Sequence, residues 1–176
     1  MQIRGATIED CPGLAKLQAE GGSSAHAGSL FPDGVEGLGA AELESRWHAW
    51  MDEHPEDVLY VAEADKGGII GYAVARAGQS EVAGVDGELL DLYVRERNRR
   101  MGIGRLLLWT VARELRSAGS RAMMVWSVEA DPVCAVCERL GAIRLEASRG
   151  IAGRPGEVAY GWPEIERVWK GAPRAA

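Results

Sequence analysis

The sequence predicts an α/β fold: a mixed, mostly antiparallel central sheet flanked by helices, in one domain. Two patterns and a length carry that prediction. Apolar runs rich in β-branched and aromatic residues alternate with helix-period segments in the order β-α-α-β-β-β-α-β-α-β-β. Two of the runs, "DVLYVAEAD" and "GIIGYAVARAG", are joined only by "KGG", which makes them a hairpin. This mixture suits neither a purely doubly wound sheet nor a sandwich. A chain of 176 residues with 47% hydrophobic content is long enough to bury one core.

Taken in order, "QIRGAT" is a short strand, and "TIEDCPGLAKLQAEGG" has the cap, early acid and closing glycines of a helix. Residues 21–38 read as a Gly- and Ser-rich loop long enough to serve as a lid. From Ala40 to His54 the apolar residues Leu43, Trp47, Trp50 and Met51 share one helical face, and Pro55 ends the helix. After the hairpin, "GELLDLYV" is a third strand. A helix follows with Leu107, Val111 and Leu115 on its inner stripe and Arg113, Glu114 and Arg116 off it. "AMMVWSV" is a strand, Asp131 and Pro132 start another helix, and Gly141 ends it. "AIRLEASRGI" and "EVAYGW" pair around the turn "AGRPG". The tail "WPEIERVWKGAPRAA" either packs on the domain or joins a homodimer interface.

Composition excludes several classes. No apolar run is long enough to cross a bilayer, so the expected protein is soluble, unexported and cytoplasmic, with no membrane partner. Cys134 and Cys137 have no second pair or histidine couple to complete a zinc site, and His26, His48 and His54 lack ligand spacing. Reduced thiols and no metal are expected. A net charge of -6 argues against nucleic acid as a partner and favours cationic ligands. The charge is also divided. Asp33, Glu36, Glu42, Glu44, Asp52, Glu53, Glu56 and Asp57 face only Arg46 between residues 31 and 57, whereas Arg95, Arg97, Arg99, Arg100 and Arg105 face only Glu96.

The arginine cluster contains the most specific pattern. Arg99-Arg100-Met101-Gly102-Ile103-Gly104 lies directly between a strand and a helix. Phosphates are held best where backbone N–H groups converge and a helix dipole adds its positive end. Glycines at 102 and 104 let a pyrophosphate approach the backbone, and Arg99, Arg100 and Arg105 add charge around it. Glycine pairs also serve ordinary tight turns, and arginines also solvate surfaces, so the glycines alone do not decide. No Gly-Lys-Ser/Thr follows, and position 107 is Leu, which removes the Walker loop and the dinucleotide G-x-G-x-x-G.

The segment "LYVRERNRRMGIGRLLL" resembles the acetyl-CoA motif of the GNAT superfamily of N-acetyltransferases, R/Q-x-x-G-x-G/A after a strand. "CERLGAI" is similar to the family's next helix, usually closing Tyr-Glu-Arg-x-Gly-Phe. The resemblance implies a sheet splayed between the parallel "GELLDLYV" and "AMMVWSV" strands, with pantetheine in the gap. It also implies backbone pairing of pantetheine with Leu92, Tyr93 and Val94. Pyrophosphate would bind amides of Arg99, Arg100, Met101, Gly102, Ile103, Gly104 and Arg105. Acetyl-CoA is then the co-substrate, and the activity is acetyl transfer.

Acetyl transfer to an amine needs the neutral amine, while an alkyl ammonium has a pKa of about 10.4. A base is required. Strict alternation places Glu88 on one face with Leu90, Leu92 and Val94, and places Asp91, the second choice, on the other. The family often carries its base Glu at the Glu88 position, although a polar residue entering a strand needs no such role. The family's acid tyrosine is replaced here by Cys137. Three roles are open to that cysteine: a small buried apolar residue, a proton donor to the coenzyme sulfur, or, for it or Cys134, a nucleophile. Tyr160 is a substitute acid. If the arginines serve the coenzyme, the 31–57 carboxylates face a small cationic amine acceptor, or else merely solvate a helix. A protein or peptide acetyltransferase and a non-catalytic acyl-CoA-binding module are the alternatives.

Overall fold

The computed structural model describes residues 1–21, 30–31, 35, 37–78, 80–128, 132–150 and 156–170. Most of the 21–38 loop, with His26, Asp33 and Glu36, lies outside them. So do Asp131, most of the "AGRPG" turn and residues 171–176.

Seven strands form one sheet in the order β1-β2-β3-β4-β5-β7-β6. They are β1 (Gln2–Gly5), β2 (Val58–Glu63), β3 (Ile69–Ala77), β4 (Gly87–Val94), β5 (Met123–Val128), β6 (Ile143–Arg149) and β7 (Glu157–Trp162). The helices are α1 (Cys11–Gly21), α2 (Ala40–Glu53), α3 (Ile103–Ser117), α4 (Pro132–Arg139) and α5 (Arg167–Lys170). All strand pairs are antiparallel except β4 with β5. The element order matches the sequence pattern, with the tail adding α5.

Alternation along the strands divides the molecule into two sides. On the front, Leu14 and Leu17 of α1 and Leu43, Trp47 and Trp50 of α2 pack on Tyr72, Val74 and Tyr93. On the back, Leu107, Val111 and Leu115 of α3 pack on Ala73, Ala75 and Leu89, and Cys134 and Cys137 of α4 join Tyr160 and Trp162. A third cluster, Met124, Trp126 and Ala159, occupies the front of β5 and β7.

Local chemistry sets the ends of these elements. Asp10 accepts from the Thr7 amide at 2.8 Å and receives two guanidinium bonds from Arg4, tying β1 to the start of α1. Arg4 thereby holds the Asp10 carboxyl below its ordinary range. Gly141 takes φ of 89° after α4, and the Ala142 amide returns to the Cys137 carbonyl, a left-handed stop that glycine permits. The tail seals the outer flank of α3, with Trp109 Nε1 donating to the Val168 carbonyl at 2.7 Å and Ile165 N bonding Arg121 O at 2.8 Å.

Leu107 is fully buried beneath α3. Leu107→Ala should cost about 2–5 kcal/mol in urea unfolding, whereas Met101→Ala, at an exposed position, should leave stability within about 0.5 kcal/mol of wild type.

Candidate active site

The β4 strand departs from simple alternation. Asp91 pairs with Val74 and Leu89 with Ala75, so Leu90 is an extra residue and β4 carries a bulge. This corrects the face assignment. Glu88 pairs with Arg76 and looks to the front; past the bulge Asp91 and Tyr93 also lie on the front, while Leu92 and Val94 turn to the back against the α3 core. Asp91 therefore shares the face of Glu88, where it accepts from the Tyr72 hydroxyl at 2.7 Å. Burial, followed by the Asp91 charge, pushes the Tyr72 hydroxyl well above its ordinary range.

The two parallel strands share little of a hydrogen-bonded ladder. Among the described residues, β4 and β5 are in register at one position, Glu88 opposite Met124. From there toward Leu92, Tyr93 and Val94 they part, as the family resemblance implied.

At the end of β4 the chain makes a short 3-10 turn, Glu96–Asn98, then enters α3 through two left-handed residues. Arg100 has φ of 63°, and Gly102, the residue before α3, has φ of 82°. The glycine at 102 is thus demanded by backbone conformation as well as by access. The first helical bond runs from the Leu106 amide to the Gly102 carbonyl at 3.0 Å, leaving the amides of Ile103, Gly104 and Arg105 outside the helical ladder. Such a helix start favours an anion.

The arginines around it are held differently. Arg99 Nε bonds the Val94 carbonyl at 3.0 Å and its guanidinium lies 5.6 Å from the Tyr93 ring, so it is fixed to the strand end. Arg105 lies 4.8 Å from the Trp109 ring. Arg100 and Met101 are exposed.

The remaining candidates fall on opposite sides of the sheet. Glu88 is half-buried on the front. Burial raises its carboxyl above the ordinary glutamate value; Arg149 and Arg76 oppose that rise, and Glu81 and Glu157 add to it. Arg76 itself is bound to Asp57 through Nε at 2.8 Å and Nη2 at 2.5 Å. Cys137 and Tyr160 are buried together on the back. The thiol bonded to the Tyr160 hydroxyl is that of Cys134, which also donates to Ser127 Oγ at 3.5 Å and to the Val128 carbonyl at 3.4 Å. Burial, with Cys134 next, raises the Tyr160 hydroxyl.

The acidic stretch has structural employment. Glu42 accepts from the Gly39 amide at 2.9 Å at the start of α2, Asp52 and Glu53 are exposed, and Asp57 is the partner of Arg76. The front face is furnished instead by Glu81, Glu88, Arg149 and Glu157. Sequence reading missed Arg149 and Glu157, and it weighed Cys134 only as a nucleophile, not as the partner of Tyr160. The alternation of "EASR" and "EVAY" marks Arg149 and Glu157 as strand residues, but their meeting depends on the β6–β7 register.

Residues 29–142 match the family model for the Acetyltransferase (GNAT) family. The chain belongs to the GNAT acetyltransferases. It is 31% identical over 168 residues to the uncharacterized N-acetyltransferase YuaI of Bacillus subtilis, covering 94% of this chain and 95% of that protein. The GNAT fold recurs in an acetyltransferase of Salmonella typhimurium, yncA, solved with acetyl-CoA, with a TM-score of 0.67, 19% identity, and 100% and 96% of the two chains covered. A phosphinothricin acetyltransferase of Sinorhizobium meliloti in complex with acetyl-CoA superposes with a TM-score of 0.67 at 22% identity, covering 94% and 89%. This GNAT chain is accordingly an acyltransferase with acetyl-CoA as co-substrate.

If the α3 entry is the phosphate cradle, acetyl-CoA at a hundred times its Kd should stabilise the protein by about 2.7 kcal/mol, read as a rise in Tm. Gly102→Val, which forces a β-branched residue to φ of 82°, should abolish that rise.

Proposed function

We propose that this GNAT domain transfers the acetyl group of acetyl-CoA directly to the primary amine of a small cationic molecule, with Glu88 as the base. The observation that carries the reading is the place of Glu88. It stands on the front at the last rung joining β4 to β5, where the two strands begin to part.

In this reading the backbone of Leu92, Tyr93 and Val94 holds pantetheine in the gap, and the amides from Arg99 to Arg105 hold pyrophosphate. Bound acetyl-CoA supplies an acyl group activated as a thioester. The amine reaches the gap from the front, where Glu88 removes its proton. The carboxyl's elevated affinity for protons makes it a stronger base than an exposed glutamate, and it remains ionised above its own pKa. The departing thiol, with an ordinary pKa of about 8.5, is a fair leaving group. Tyr160 or Cys137, buried on the back, would return its proton.

The front-face charges favour a cationic acceptor. Arg76 is committed to Asp57, which leaves Glu81, Glu88 and Glu157 around one guanidinium, that of Arg149. Glu157 is buried against Arg149, but Glu81 is exposed and Glu88 half-buried, and carboxylates that reach solvent attract an ammonium ion. This replaces the outer face of α2 as the basis for acceptor choice.

Glu88→Gln should lower kcat by roughly 10²–10⁴-fold, with the acid limb of the wild-type kcat/KM profile lying above an ordinary glutamate value. The folded carboxyl is raised, so its contribution to stability is complete below the unfolded pKa and is lost as pH rises through the folded value. At neutral pH the Gln variant should therefore melt no lower than wild type, and full activity in that variant would remove Glu88 from the mechanism. Acceptor class is tested by coenzyme-thiol release with a panel of polyamines, aminoglycosides and peptides. Amine-dependent release is expected; peptide-dependent release, or binding without release, would overturn the small-amine assignment.

A further inference from the structure

Arg149 ends β6, the outermost strand, yet three other elements hold its guanidinium inward. Nε donates to Glu157 on β7, a carboxylate only 2% exposed. The guanidinium carbon lies 4.5 Å from the centroid of Trp126 on β5, and Nη1 lies 3.8 Å from Glu81 in the β3–β4 connection. Trp126 shares the front of β5 with Met124, the residue in register with Glu88. The side chain thus reaches from the sheet edge across β7 and β5 toward β4.

A buried ion pair rarely adds to stability compared with apolar residues of the same volume. Holding a guanidinium over an indole and against a carboxylate makes better sense as a fixed charge, and Arg serves that better than Lys because its fork is rigid. We propose that Arg149 is a positioning residue of acetyl transfer: held by Glu157, Trp126 and Glu81 on the front of β5 and β7, it is a fixed positive charge beside the β4–β5 rung that acts on Glu88 as that carboxylate receives the acceptor's proton. This role rests on Glu88 being the base. The other charges that act on Glu88 are Arg76 from β3, neutralised by Asp57, Glu81 from the connection before β4, and Glu157 from β7. Of the two cations, Arg149 acts on it more strongly.

The test compares wild type with Arg149→Gln, Arg149→Lys and the double variant Arg149→Gln/Glu157→Gln. The double variant removes the buried pair together and so guards against a fold lost to an unpaired Glu157. Two readouts are taken: the Glu88 carboxyl titration by carbon NMR, which needs no turnover, and the acid limb of kcat/KM. Arg149→Gln should move both upward by on the order of one pH unit, about tenfold in kcat/KM on the acid side. The double variant should move them less, since Glu157 pushes the other way, and Arg149→Lys should restore most of the wild-type profile. An unmoved carboxyl titration, with activity lowered equally at every pH, would reduce Arg149 to a structural residue and overturn the proposal. A carboxyl that moves while the limb stays still, or full activity in Glu88→Gln, would remove the base and this role with it.

Discussion

The parting of β4 from β5 is the constraint on which the other features depend. Two parallel strands joined at a single rung cannot satisfy each other's backbone groups beyond it, and buried amides and carbonyls demand partners. The helices keep that opening from collapsing. α1 and α2 fill the front of β2 to β4 with Trp47 and Leu43, and α3 braces the back with Leu107 and Leu115. The left-handed entry through Arg100 and Gly102 then turns the chain that leaves β4 into α3.

The same geometry separates chemical roles by side. Carboxylates occupy the front, with Glu88 and Asp91 both delivered there by the extra residue Leu90. Cys134 and Cys137 of α4 and Tyr160 of β7 sit in the core on the back, while Cys11, Tyr72 and Tyr93 lie on the front. The sheet itself is the partition.

Much of this was legible in the sequence, and the illegible part has a common cause. Element order, the inner stripes of α2 and α3, and the glycine entry to α3 are written in local spacing, which a linear chain displays directly. The face of Asp91 was not, because alternation assumes equal residue counts on paired strands and a bulge adds one. The purpose of the acidic stretch was also hidden. Glu42 caps its own helix start, and Asp57 meets an arginine 19 residues away, so the same count of charges means different things at different positions. Arg149 and Glu157 are eight residues apart in sequence, but only the strand pairing shows that their partner is Trp126 on a third strand.

The bond from Trp109 to the Val168 carbonyl spans 59 residues. During synthesis, α3 leaves the ribosome long before the segment that covers its flank. Until that segment arrives, the indole of Trp109 has neither its carbonyl acceptor nor its apolar cover, and the helix is half-shielded. The covering of α3 therefore waits on a segment 59 residues further along the chain. The cluster of α1 and α2 on β2 to β4, by contrast, needs no residue beyond Tyr93.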